Sequence, residues 1–322
     1  MKTWEPLHFT PVYQSYLWGG RDLVERFART DAPASGPVAE SWECSDRLDG
    51  MSVVASGAWA GQTLRDLMTE NRDAIIGKAA CPGPFPLLIK LIDARQTLSV
   101  QVHPDDAAAA LGIGEAKSEA WYVLDAQPGA CVYRGFRPGV SEQEVNDSLR
   151  NGTVADLLVR QSVVPGDTIY IPGGTVHAIG EGCLLLEVQQ NSNTTYRLFD
   201  WNRVGPDGQP RALHLDEAAK VIKWQTDESH QPAEDGRCVT PYFSIEPVVL
   251  GKRPVSLTDP LRGYTIVFVE EGPVRFDSPA GSYIGSTGTT WLIPAALKSG
   301  KVSRHENEAA RVVLIRGMKA AD

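Results

Sequence analysis

Residues 166–177 read G-D-T-I-Y-I-P-G-G-T-V-H. A glycine turn leads into a short run in which Thr168 and Tyr170 alternate with Ile169 and Ile171, the period of a strand. Pro172 closes the run, Gly173 and Gly174 turn the chain, and a second strand begins at His177. The same spacing recurs at 288–294, G-T-T-W-L-I-P. Ala296 and Ser299 then stand where the first copy has Gly174 and His177. Two copies of one strand-and-turn unit point to a duplicated all-β chain in which one half kept a candidate ligand and the other did not.

Outward from this unit, residues 1–60 read as short β segments broken by Gly, Pro and Ser. F-P-L-L-I-K-L-I at 85–92 has the apolar density of a strand buried on both faces, interrupted only by Lys90. S-E-A-W-Y-V-L-D at 118–125 and E-G-C-L-L-L-E-V-Q-Q-N-S at 181–192 are further strands. Many short strands with Gly/Pro turns predict a sandwich or barrel rather than a parallel α/β sheet. Helices are few. Thr63 can cap a helix that ends at Gly77, Pro104 opens a short one before Gly112, and residues 213–224 form another. Residues 141–159 read as a small helical insertion, with Ser141 and Glu144 at capping-box spacing and Gly152 dividing it. The polar stretch Q-T-D-E-S-H-Q-P-A-E-D-G at 225–236 marks a domain boundary, giving domains 1–235 and 236–322.

The bulk properties agree with two globular domains. The chain has 322 residues, 42% hydrophobic and 22% charged. A net charge of −9 disfavours nucleic acid and anionic membranes as partners. No apolar stretch approaches the length of a membrane span and the first residues lack a signal-like apolar core, so a cytoplasmic protein is expected. Five scattered cysteines without a C-x-x-C pair fit free thiols in a reducing compartment. Monomer and homodimer fit the composition equally.

The chemistry concentrates in L-S-V-Q-V-H-P-D-D, residues 98–106, and K-S-E-A-W-Y, residues 117–122. Gln101 and His103 are two apart in a strand-like run, as are Lys117 and Glu119, so each pair shares a face. Imidazole, amide and carboxylate are raw material for a metal site. With His177 they form a candidate constellation, against which stands a reading of His103 and His177 as satisfied core histidines. His8, His214, His230 and His305 have no partner at ligand spacing.

These motifs carry a family resemblance. G-D-T-I-Y-I-P-G-G-T-V-H resembles the second histidine motif of the cupin superfamily, although Glu181 stands where cupins often have Asn. L-S-V-Q-V-H-P-D-D, K-S-E-A-W-Y, P-G-G-T-V-H-A-I-G and N-S-N-T-T-Y-R-L-F-D-W-N-R together resemble the type I phosphomannose isomerases in their short bacterial form. W-G-G at 18–20 and E-S-W-E at 40–43 look like the same family, so the resemblance covers residues 12–224 and is weak beyond. It implies two cupin-type jelly-roll β-sandwiches, the first with the helical insertion and the second degenerate and without metal ligands. It implies one Zn²⁺ per chain held by Gln101, His103, Glu119 and His177. It places Arg197 near the reacting carbons, Lys117 beside Glu119, and Arg203 on a phosphate. Lys90, Lys117, Arg197 and Arg203 would form a cationic funnel for a sugar phosphate, with Ser99 as a further substrate-binding residue.

The implied reaction exchanges mannose 6-phosphate and fructose 6-phosphate through a cis-enediol. Lys117 and a zinc-held water are the candidate bases, His103 is less suited because a ligated nitrogen cannot also accept a proton, and Glu43 is a remote fourth. One departure stands out: the family's N-S-D-T-T-Y-R has Asn193 here in place of Asp. Asn keeps the shape but cannot ionise. The alternatives are a cupin acting on another sugar phosphate, a metal-holding sugar-binding module with little catalysis, and a metal-dependent oxygenase, against which Gln101 argues.

Overall fold

The computed structural model describes residues 3–78, 83–205, 208–225, 229–258, 263–306 and 308–318. Cys81 and part of the 225–236 linker lie outside them. Strand-forming runs pair into four antiparallel sheets. A six-stranded sheet has the order Thr168–Ile171, Glu119–Ala126, Cys183–Gln190, Leu87–Ala94, Glu40–Cys44, Val12–Gln14. A five-stranded sheet, in the order Tyr196–Phe199, Val100–Val102, His177–Ile179, Cys131–Phe136, Leu158–Ser162, packs across it. Between them lies a core of Ile92, Trp121, Val123, Ile169, Ile179 and Leu185.

The opposite face of the six-stranded sheet explains the apolar run at 85–92. Ile89, Leu91, Tyr122 and Leu186 pack against Ile245, Ile266 and Phe268 of the C-terminal strands in one continuous core. The central strand Leu87–Ala94 is therefore buried along its whole length. The C-terminal strands form a seven-stranded sheet backed by a four-stranded one, with Val267, Phe276, Val302 and Leu314 between them. Two strands from the start of the chain complete the seven-stranded sheet. Leu7–Thr10 pairs with Thr290–Ile293 on one side and with Val53–Val54 on the other.

The two related glycine units adopt the same local form. Thr168–Ile171 and Thr290–Ile293 are both strands, and Gly166 and Gly288 hold φ of 95° and 82° at their starts.

The helix Leu64–Ile76 has the full capping box of Thr63 and Asp66 and stops at Gly77. In the insertion, Ser141 and Glu144 cap the helix Glu142–Asn151, and Gly152 ends it at φ 71°. A single 3₁₀ turn, Val154–Leu157, follows. Helix was expected to 159, but Leu158 already begins the edge strand Leu158–Ser162, because its side chain is buried on the sheet. Val145 and Val154, with Ala218 and Val221 of the helix Leu215–Val221, cover the outer face of the five-stranded sheet. No helix among the described residues is long and apolar enough to cross a membrane.

Candidate metal centre and adjoining cavity

Strand register assembles the site. Gln101 is opposite His177 on one neighbouring strand and opposite Arg197 on the other. These three side chains form one row across the five-stranded sheet. The facing sheet supplies a second row, in which Lys90 is opposite Trp42 on one side and Glu187 on the other, and Glu187 is opposite Trp121. Glu119, two residues before Trp121, shares its face.

The turn after Pro172 fits only because it has no side chains. A Cβ on Gly173 would come within 2.7 Å of the Pro104 carbonyl and the Asp105 Cα. Gly174 holds φ 90°, and its N–H donates to the His103 carbonyl at 2.7 Å. The two histidine segments are thereby tied to each other.

His103, Glu119 and His177 form a fully buried cluster whose ligating atoms lie within 4.8 Å of one another. The Nδ1–H of His103 donates to the Thr194 carbonyl at 2.8 Å, and that of His177 to the Thr175 carbonyl at 2.8 Å. Both tautomers are set this way, and both Nε2 lone pairs face Glu119, at 3.5 Å and 3.4 Å. Burial, then the Lys117 ammonium, pulls His103 down to about 3, and burial lowers His177, so both rings are neutral donors. Burial works against the Glu119 charge, but Lys117 and then His103 hold it well below the usual carboxylate range. Lys117 Nζ lies 2.7 Å from Glu119 Oε2 and 3.0 Å from His103 Nε2. Oε2 of Glu119 is thus paired with the Lys117 ammonium, while Oε1 has no hydrogen-bond donor. Gln101 meets His177 at 3.3 Å and accepts from Ser99 Oγ at 3.3 Å. Two neutral imidazoles, a carboxylate with one open oxygen and an amide fit a zinc ion in donor chemistry.

A cavity of about 250 Å³ adjoins the cluster, lined among others by Lys90, Ser99, Gln101, Lys117, Asn193 and Arg197. Every one of these had been singled out in the sequence. Lys90 is buried between Glu40 at 3.5 Å and Glu187 at 3.4 Å, over the Trp42 ring. Burial opposes its charge, but those two carboxylates raise it above its ordinary value. Arg197 donates to the Ala212 carbonyl at 2.8 Å, while its Nε is buried without a partner. Its backbone N–H donates to His214 Nδ1 at 3.2 Å, which gives that histidine a positioning role.

Arg203 lines a neighbouring cavity of about 350 Å³, together with Tyr16, Trp18 and Arg211. It is held there by Asp200 and by the Thr97 carbonyl, at 2.8 Å. Arg211, which the sequence reading passed over, lines both cavities and grips Asp200 through two bonds of 2.7 Å and 2.6 Å. Glu187 was also missed. Burial, then the Glu119 charge, raises it above the usual carboxylate value, Trp121 donates to one of its oxygens at 3.0 Å, and the other faces the Lys90 ammonium at 3.4 Å. Glu43 points elsewhere: it is paired with Arg29 at 2.9 Å and bonded to Ser41.

A β-sandwich with a buried histidine–glutamate–histidine cluster beside a cation-lined cavity defines an enzyme of the cupin type. The description "Phosphomannose isomerase type I, catalytic domain" fits residues 7–132 of this chain. Mannose-6-phosphate isomerase ManA of Bacillus subtilis (strain 168) is 36% identical over 314 residues, 93% of this chain and 96% of that one. The mannose-6-phosphate isomerase of Streptococcus mutans is 34% identical over 321 residues, 94% of this chain and 99% of the relative. The crystal structure of the mannose 6-phosphate isomerase from Bacillus subtilis superposes with a TM-score of 0.82 at 30% identity, covering 96% of this chain and 99% of that one. The chain belongs to the type I phosphomannose isomerase family.

Proposed function

We propose that the chain interconverts mannose 6-phosphate and fructose 6-phosphate, with one zinc ion held by Gln101, His103, Glu119 and His177. The observation that carries this reading is the fully buried Glu119 carboxylate, which faces two neutral Nε2 atoms and has one oxygen, Oε1, with no hydrogen-bond donor. Zinc bound there would act as a Lewis acid toward negative charge developing on a substrate oxygen.

The chain's own residues have separate tasks. A proton must leave C2 next to the C1 carbonyl, a cis-enediol forms, and a proton returns at C1. Lys117 and Glu187 both line the cavity and are the two side chains placed to move that proton. Burial, then the Glu119 charge, raises Glu187 above the usual carboxylate range, which makes it a readier proton acceptor than an exposed glutamate. Arg197 stabilises developing negative charge from the row that carries Gln101 and His177. The phosphate belongs where Arg197 meets the Asp200-bound pair Arg203 and Arg211, and Lys90 and Ser99 extend the polar wall.

A division of labour is supported by the same geometry. Every residue named above lies in the unit 1–235, and residues 236–322 serve as a packed, metal-free partner that contributes stability. Among the described residues, four buried free thiols support a reducing, cytoplasmic setting.

The test is a coupled assay for fructose 6-phosphate formed from mannose 6-phosphate, before and after chelation. Turnover should vanish with chelator and return on addition of zinc. Absence of turnover in a folded, zinc-loaded sample would reject the mannose assignment and direct the search to other sugar phosphates.

A further inference from the structure

The turn at residues 46–50 touches the cavity wall at two points. At one end Gly50 packs so closely on Trp42 that a Cβ would sit 2.4 Å from its ring, and that ring underlies Lys90. At the other end Asp49 Oδ2 accepts from the side-chain amide of Asn193 at 2.7 Å. Arg47 closes the group, with its guanidinium 3.1 Å from Asp49 and 3.0 Å from Glu115, and it donates to the Asn191 carbonyl at 3.0 Å. Glu115 in turn accepts from the Asn193 backbone N–H at 3.3 Å. The turn therefore joins the loop leading to Lys117 and Glu119 to the loop bearing Asn193 and the Thr194 carbonyl that orients His103.

We infer that Asp49 is a positioning residue for the isomerase reaction, acting through Asn193. A carboxylate offers only acceptors, so it can meet an amide only through the NH₂ group. With Nδ2 committed to Asp49, the amide of Asn193 presents Oδ1 as its free acceptor at the cavity wall. Its ligand there is a hydroxyl group of the sugar. This pairing also makes Asn the residue that suits position 193 in this chain. Aspartate there would bring two carboxylates to hydrogen-bond distance, with only Arg47 beside them.

The inference rests on the isomerase reading and makes a prediction counter to simple restoration of the family's aspartate. Asn193→Asp alone should lower kcat/KM for mannose 6-phosphate at least tenfold. The double change Asn193→Asp with Asp49→Asn rebuilds the pair with its polarity reversed, and should recover activity to within about threefold of the parent. Asp49→Asn alone leaves two amides, frees the Asn193 rotamer, and should act mainly on KM. Each zinc-loaded variant is assayed beside the parent, with thermal melting to confirm folding. Asn193→Asp matching the parent, or a double variant no better than Asn193→Asp, overturns the inference. An inactive parent rejects the isomerase reading itself, and with it the hydroxyl assigned to Asn193.

Discussion

Lys90 and Glu187 face each other across neighbouring strands in strict register, with Nζ 3.4 Å from Oε1. Glu40 closes the group from the other side at 3.5 Å, so one buried ammonium serves two buried carboxylates. Removing the cation strands both anions in a low-dielectric site. Lys90→Met should cost about 3–5 kcal/mol in urea unfolding, the range for breaking buried pairs. A loss under 1 kcal/mol would show that water reaches the pair.

The proton carrier can be found by isotope exchange. Lys117→Met and Glu187→Gln should each lower kcat by about 10²–10⁴, the usual share of a general acid or base. Only the residue that removes the C2 proton should abolish its exchange with solvent while zinc content stays at one per chain. Exchange retained in both variants would take the role from both.

Phosphate recognition should weigh more on Arg197 than on Arg203. Arg197 has a buried nitrogen with no partner, whereas Arg203 is matched by Asp200 and the Thr97 carbonyl. A charge-assisted bond is worth about 1.5–3 kcal/mol, so Arg197→Met should raise KM about 10- to 100-fold. Arg203→Met should raise it less. Equal effects would place the phosphate over Asp200, nearer to Arg203.

Asp93 gives a pH dependence independent of the metal cluster. Its carboxylate accepts from the Asp22 N–H at 2.7 Å, and burial pushes its pKa up to about 6. The folded chain therefore takes up this proton more readily than the unfolded one. The stabilisation is fully present below the ordinary aspartate value of 3.8 and is lost as pH rises through about 6. Asp93→Asn should flatten melting temperature against pH between those values. At pH 7 it should gain about 1–2 kcal/mol after allowance for solvent screening. Parallel curves for the two proteins would show that Asp93 has an ordinary pKa.

The grouping of Gln101, His103, Glu119 and His177 was suggested by local spacing, and the family resemblance singled it out. Gln101 and His103 are spaced by the strand period, and the Pro-Gly-Gly turn before His177 announces its own geometry. Glu187 was not legible, since a carboxylate inside L-L-L-E-V-Q-Q reads as a strand interruption until the facing sheet is known. Arg211 follows a loop without periodicity, and only its grip on Asp200 brings it to the cavity. Lys90 lines the cavity between two buried carboxylates, which the apolar run around it does not reveal. The pairing of Leu7–Thr10 with Thr290–Ile293 spans most of the chain and leaves no local mark.

That last pairing bears on how the protein is made. The ribosome makes Leu7 and His8 long before their sheet neighbours Leu292 and Trp291. The strand Leu7–Thr10 must wait, with Leu7 and Phe9 uncovered, until residues 290–293 have been made. A nascent chain stalled before residue 290 would expose an unpaired strand edge, the kind of surface that recruits chaperones or aggregates.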